Sequence, residues 1–219
     1  MTRERKQRRW SAKSIQPMPA LQESKVMTAT IDKPRLQALY EEDVKAKVLS
    51  EFKLGNENLA PKLAKIIVNV GIGRYLDNQK LKPEIRDTVV STLETISGQK
   101  PIMLLAKKSV SNFKVREGAP SAFMVTMRGD HMWHFLDRLI SLAIPRIKDF
   151  RGLKTNSFDE GGSYSMGLTE QAVWPEINMS EVKFNHGMNI NIVFENSTAE
   201  LSKFALEQLG MPFFRPEEE

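Results

Sequence analysis

Apolar residues recur at regular spacings along most of this 219-residue chain, and the spacing changes from segment to segment. Leu36, Tyr40, Val44, Val48 and Phe52 fall every fourth residue and stop at Gly55, which predicts a helix with one buried stripe. IIVNVG, at 66–71, is a β-branched run of strand length. A second helix carries Ile85, Val89, Leu93 and Ile96 on one face and ends at Gly98, a residue that readily takes the left-handed conformation closing a helix. PIMLL, at 101–105, and SAFMVTMRG, at 121–129, read as further strands. Asp130 is expected to cap a third helix in which Met132, Phe135, Leu136, Leu139, Ile140 and Ala143 follow helical spacing up to Pro145. After a polar loop around SFDEGGS come the strands SYSMGL and MNINIVFE, the latter with Ile190, Ile192 and Phe194 on one side. STAE, at 197–200, has the form of a capping box, and the helix it opens closes at Gly210 before Pro212.

Helices interleaved with short strands, without an internal repeat, predict an α+β fold in two layers. A mainly antiparallel sheet carries helices on one face and leaves its other face free. With 41% apolar residues the chain can bury one good core, so residues 35–219 are expected to form a single domain. Residues 1–34 differ: MTRERKQRRW is basic, and Pro17, Pro19 and Pro34 interrupt a stretch with few large apolar groups. Such a segment cannot repay the entropy of its own ordering and is expected to be a flexible extension. The other reading, an organellar transit peptide, is opposed by Glu4 and Glu23. No run of 18 apolar residues and no secretory core is present, so a cytoplasmic protein without membrane contact is expected. The absence of cysteine excludes disulfides and thiolate metal sites.

The net charge of +5 conceals an uneven distribution. Residues 99–154 hold 11 Lys and Arg against 4 Asp and Glu, whereas residues 155–219 hold 3 against 11. A basic middle beside an acidic end suits a polyanionic partner. Within the basic part, AKKSVSNFKVREGAP at 106–120 joins two predicted strands and sets Lys107, Lys108, Lys114 and Arg116 around Phe113. Cations neutralise phosphates and a protruding aromatic stacks on a base or ribose, which favours nucleic acid over a loop charged only for solubility. Strand alternation extends the argument. In FMVTMR, Phe123, Val125 and Met127 point one way, and Met124, Thr126 and Arg128 the other. In IIVNV, Ile66, Val68 and Val70 share a side opposite Ile67 and Asn69. An amide in the middle of a β-branched strand needs a cross-strand partner or a ligand.

Catalytic chemistry has little to build on. His131 and His134 have a usable metal spacing but lack the remaining ligands, and GIGR, after the strand at Ile66, lacks the third glycine of a dinucleotide fingerprint. No catalytic residue, metal or cofactor is therefore assigned. Two rivals stand beside RNA binding: a nucleotide-dependent enzyme using the GIGR turn, and an adaptor that binds an acidic protein through the basic patch.

IIVNVGIG, SGQKP, AKKSVSNFKVREGAP, VTMRG, FLDRLISLAIPRIKDFRGL, SFDEGGSYSMGLTEQAVWPEI and LGMPF, in this order and spacing, resemble the bacterial form of the ribosomal protein L five family. The resemblance covers about Leu36 to Phe213 and implies a structural protein of the large subunit, with no reaction of its own. Its implied partners are 5S rRNA, large-subunit rRNA, other proteins of the central protuberance, P-site tRNA and the small-subunit head protein S thirteen. Carried over by position, the resemblance puts 5S rRNA binding on Asn69, Gln99, Thr126 and Arg128. It puts the tRNA and rRNA contact loop on Lys107, Lys108, Phe113, Lys114 and Arg116, and an intersubunit bridge on the region of Arg151, Ser163, Tyr164 and Met166. The chain departs from the family at Asn112, where glycine is usual, and at 159–162, where DEGG lacks a common arginine.

Overall fold

In the computed structural model, which describes residues 33–214 apart from 78, 79, 114, 181 and 183, the β-branched run around Ile66 becomes the middle of an antiparallel sheet. Strand β1 (Lys62–Gly71) lies between β5 (Pro120–Met127) and β7 (Met188–Glu195), with β4 (Ile102–Leu105) and β6 (Tyr164–Leu168) as edges. The order is β4-β5-β1-β7-β6, every pair antiparallel. A small hairpin, β2 (Leu76–Asp77) with β3 (Lys80–Leu81), follows β1. The expected α+β architecture is the observed one. Of the expected extension 1–34, all but Lys33 and Pro34 lies outside the described residues.

The first helix runs as α1 (Arg35–Leu39), a π turn (Tyr40–Val44) and α2 (Lys45–Glu51). Its apolar spacing explains the π turn. At about 100° per residue a strict four-residue repeat drifts by about 40° each turn of an α-helix, and a wider turn brings the stripe back into line. Leu36, Tyr40, Val44 and Val48 all remain buried. A second π turn (Leu139–Ala143) continues α4 (Gly129–Arg138), and Pro145 sits within the closing 3-10 turn Ile144–Arg146. Helix α3 (Pro83–Ser97) ends as expected at Gly98, whose φ is 68°.

The helices cover one face of the sheet. Ile66, Val68 and Val70 of β1, Phe123, Val125 and Met127 of β5, and Ile190, Ile192 and Phe194 of β7 meet Val89, Leu93 and Ile96 of α3 and Phe135, Leu136 and Leu139 of the α4 segment. Trp174, from the segment between β6 and β7, packs on Phe135 with ring centroids 5.2 Å apart. At the edge of the core the Arg35 guanidinium donates to the Asp137 carboxylate, Nε to Oδ2 at 3.2 Å, and ties α1 to α4. That hydrogen bond lowers the Asp137 pKa. The Tyr40 hydroxyl donates to the Pro61 carbonyl, and burial pushes its pKa up to about 12.

Two caps differ from expectation. Arg128, in extended conformation, holds the N-cap position of α4, so Asp130 lies in the first turn. Gly129 turns strand into helix with φ 58°, a step that a β-carbon would oppose. At α5 (Ala199–Gln208) the cap is Thr198, which accepts from the Leu201 amide, while the Ser197 hydroxyl bonds that of Ser202 at 2.6 Å. The loop holding Gly162 packs against this helix end. Gly162 has φ 75°, and a β-carbon there would come 2.6 Å from Ser202 Oγ and 2.8 Å from the Thr198 carbonyl oxygen. Gly162→Ala is therefore expected to cost about 1–3 kcal/mol from backbone strain and overpacking, read as a lowered urea midpoint. An unchanged midpoint would contradict this packing.

Candidate nucleic-acid interface

Alternation in β1 and β5 has the consequence expected of it. Ile66, Val68, Val70, Phe123, Val125 and Met127 are buried against the helices, and the residues between them face away. On that outer face the register sets Ile67 between Thr126 and Asn191, and Asn69 between Met124 and Asn189. The next positions outward are Ser165 beside Asn191, Gly167 beside Asn189, and Ile102 beside Met124. Asn69 and Thr126 are thus diagonal neighbours on one surface. The β1–β5 register, extended by one residue, puts Arg128 level with Lys65 at one end of this face. Gln99 follows the Gly98 cap of α3, half-buried, and precedes β4. Continuing the β4–β5 register brings it to the same end as Arg128.

The arrangement is a polar strip crossing an apolar ground. Asn69, Asn189, Asn191, Thr126 and Ser165 supply amides and hydroxyls, while Met124, Ile67 and Val193 offer flat apolar contact. The Asn69 side-chain oxygen is buried and has no hydrogen-bond partner among the described residues. A lone buried acceptor costs more than its bond would have contributed. Asn189 and Asn191 were not singled out in the sequence, although the alternation that placed Ile190 and Ile192 inward also placed these two amides outward.

The loop 106–119 is more ordered than its lack of periodicity suggests. Ala106 donates to Ala119 at 2.8 Å and Gly118 to Ala106 at 3.0 Å, so the loop's base extends the β4–β5 hairpin. Val110 and Val115 exchange both backbone hydrogen bonds, at 2.9 and 3.2 Å, and form a second rung. Lys107, Lys108 and Arg116 are exposed along it, and Phe113 near the tip is 78% exposed. Lys114 lies outside the described residues.

In the expected bridge region the structure corrects two assignments. Tyr164, 1% exposed, and Met166, 9% exposed, point into the core. The Tyr164 ring packs on Phe158 and Phe213, its hydroxyl donates to the Lys154 carbonyl at 3.1 Å, and burial pushes its pKa up to about 12. Both residues face inward because β6 alternates like the other strands. Neither side chain is presented to a partner; Arg151, Ser163 and Ser165 are the more exposed side chains here.

Other chemistry finds no frame. His131 and His134 lie on the exposed side of α4, and among the described residues no group of three His, Asp or Glu could hold a metal ion. The GIGR segment leads from β1 into a 3-10 turn (Gly73–Tyr75) and the β2–β3 hairpin, so no helix N-terminus faces a phosphate there. Among the described residues no helix is long and apolar enough to cross a membrane.

Comparison with known proteins points the same way. A family model described as ribosomal protein L5 matches residues 56–116, and a second model, for the C-terminus of the same ribosomal protein family, matches residues 120–213. The large ribosomal subunit protein uL5 of Natranaerobius thermophilus is 46% identical over 179 residues, which is 82% of this chain and 98% of that protein. The uL5 proteins of Chloroflexus aurantiacus and Synechocystis sp. are 45% and 44% identical over 179 residues, each covering 82% of this chain and 97% of the relative.

Proposed function

Because the chain belongs to the uL5 family of large-subunit ribosomal proteins, we propose that it binds 5S rRNA through the outer face of its sheet. As a member of that family it is a structural constituent of the ribosome and not an enzyme. The observation that carries the proposal is the polar strip of Asn69, Thr126, Asn189 and Asn191, with Arg128 at its end, on the face turned away from the helices. Neutral amides and hydroxyls suit ribose hydroxyls and base edges, and Arg128 suits a phosphate. Gln99, half-buried beside the same end of the sheet, completes the set.

The protein works on cytoplasmic ribosomes in the central protuberance, where its remaining surface meets large-subunit rRNA and neighbouring proteins. The hairpin-like loop reaches P-site tRNA through the cations Lys107, Lys108, Lys114 and Arg116, and the region of Arg151 and Ser163 meets the small-subunit head protein S thirteen. Exposed cations on an extension beyond the sheet support the first contact. The position of the 159–162 turn on the surface beside β6 supports the second. Sedimentation tests the whole reading: the protein is expected to comigrate with large subunits at moderate salt, and a purely soluble pool would overturn it.

The loop's role gives a separate prediction. Replacing Lys107, Lys108, Lys114 and Arg116 by Ala removes four cations from a solvent-exposed segment and leaves the core untouched. 5S rRNA binding by the purified protein is expected to change by less than about threefold, since the polar strip of the outer face keeps all its groups. Ribosomes carrying the variant are expected to hold P-site tRNA less well in a filter-retention assay. Failure of the variant to enter large subunits would reject this division of labour.

A further inference from the structure

The outer face continues past Asn69 into a groove of about 600 Å³ at the C-terminal end of β1. Asn189, cross-strand partner of Asn69, belongs to both. The groove is further lined by Arg74, Tyr75, Phe113 and His186. It is a built site and more than a gap between loops. The Tyr75 ring is backed by Phe184 at 5.1 Å, and its hydroxyl donates to the Asn185 carbonyl at 3.1 Å. Phe184 in turn lies 5.6 Å from the His186 ring. Fully buried Gln171 locks this wall, accepting from the His186 amide at 3.0 Å and donating to the Phe184 carbonyl at 2.9 Å.

His186 itself is 3% exposed. Its Nδ1 lies 3.4 Å from the Gly187 carbonyl oxygen, which can only accept, so Nδ1 carries the proton. Burial lowers the ring's pKa and favours the neutral form. Nε2 is then an acceptor, and it has no partner among the described residues. Phe113, also on the groove's lining, exposes 78% of its surface, so its ring is free to stack. A site lined by two aromatic rings, one exposed cation, one amide and an acceptor lacking a donor matches a flat heteroaromatic ring with polar edges and an attached phosphate. A bare anion would use only Arg74.

Resting on the 5S rRNA assignment above, we propose that this groove takes one unstacked nucleotide of the 5S rRNA lying on the outer face. The base packs between Phe113 and Tyr75, Asn189 bonds its edge, Arg74 meets its phosphate, and a base amino group or ribose hydroxyl donates to His186. The source is the RNA already on the sheet, because Asn189 is shared by strip and groove. From the level of Arg128 to Gly71 is six residues along β1, about 20 Å, so one RNA segment would be held at both ends of the face.

Ultraviolet cross-linking of the full chain with purified 5S rRNA, read by mass spectrometry, tests this. A cross-link from Tyr75 or Phe113 to a single 5S nucleotide is expected. Phe113→Ala is expected to weaken 5S rRNA binding by about 5- to 150-fold, the range for loss of one base stack, and Phe113→Tyr to restore it. Phe113 is exposed, so its removal leaves the fold intact. A complex that forms with parental affinity in Phe113→Ala, or whose groove cross-links only to tRNA on ribosomes, overturns the inference and leaves 5S binding by the sheet standing. Absence of any complex with 5S rRNA overturns both.

Discussion

Thr126→Ala combined with Arg128→Ala is expected to lower the affinity for 5S rRNA by about 30-fold or more. A neutral hydrogen bond contributes about 0.5–1.5 kcal/mol net and one with a charged partner about 1.5–3, so the pair is worth roughly 2–4.5 kcal/mol. The two side chains stand two residues apart on the outer face of β5 and its exit, Thr126 opposite Ile67 and Arg128 level with Lys65. Neither packs against the helices, so the double variant is expected to unfold within about 0.5 kcal/mol of the parent. Loss of Arg128 removes one phosphate contact, and the dependence of log K on log salt is expected to become shallower by about 0.7 to 0.9. Phe123→Ala is the opposite control: Phe123, 2% exposed, faces the core one residue away from Met124. It is expected to lower stability by about 3–5 kcal/mol and to weaken RNA binding only through the unfolded fraction. Titrations of 5S rRNA at two salt concentrations, with urea unfolding alongside, separate these cases. If the double variant binds like the parent and stays folded, the RNA lies on some other surface.

How much of this surface the sequence revealed depended on the strength of each local pattern. IIVNV and FMVTMR alternate strictly, and period-2 alternation leaves a side chain only two places to go, so Asn69, Thr126 and Arg128 were legible before any coordinates. The same rule applied to MNINIVFE would have delivered Asn189 and Asn191. It would also have turned Tyr164 and Met166 inward, since SYSMGL alternates with Ser165 and Gly167. Those two were carried to the bridge by family position, and position along the chain does not say which way a side chain points. The caps were harder. Ser197 and Thr198 are both good N-caps, and nothing local in the sequence chooses between them, whereas the structure caps with Thr198. The first π turn was implicit in the four-residue spacing of Leu36, Tyr40, Val44 and Val48, yet nothing local says where the extra width is inserted; the second, at Leu139–Ala143, had no such signal. The groove was not legible at all. Its members come from 71–75, 113–115 and 186–189, and only the antiparallel pairing of β1 with β5 and β7 brings those segments to one end of the sheet.

Trp174→Ala is expected to remove a large part of the margin that holds this sheet against its helices. Trp174 is fully buried, on a segment with little regular structure, and its ring packs on Phe135, itself fully buried from α4. Truncating a buried Trp costs about 3–5 kcal/mol through lost burial and the cavity left behind, out of a typical total of about 5–15. At about 2–4 °C per kcal/mol for a chain of this size, the melting temperature is expected to fall by about 6–20 °C. Trp174→Phe is expected to behave differently for a specific reason. The indole Nε1 is buried without a hydrogen-bond partner among the described residues, a state that costs about 1–3 kcal/mol. Phenylalanine gives up part of the ring's burial but also removes that orphaned donor, so the two effects oppose each other and the net loss should stay below about 1.5 kcal/mol. Urea unfolding of the three proteins distinguishes the accounts. If Trp174→Phe loses as much stability as Trp174→Ala, the indole N–H is satisfied in solution and the packing on Phe135 is not what Trp174 contributes.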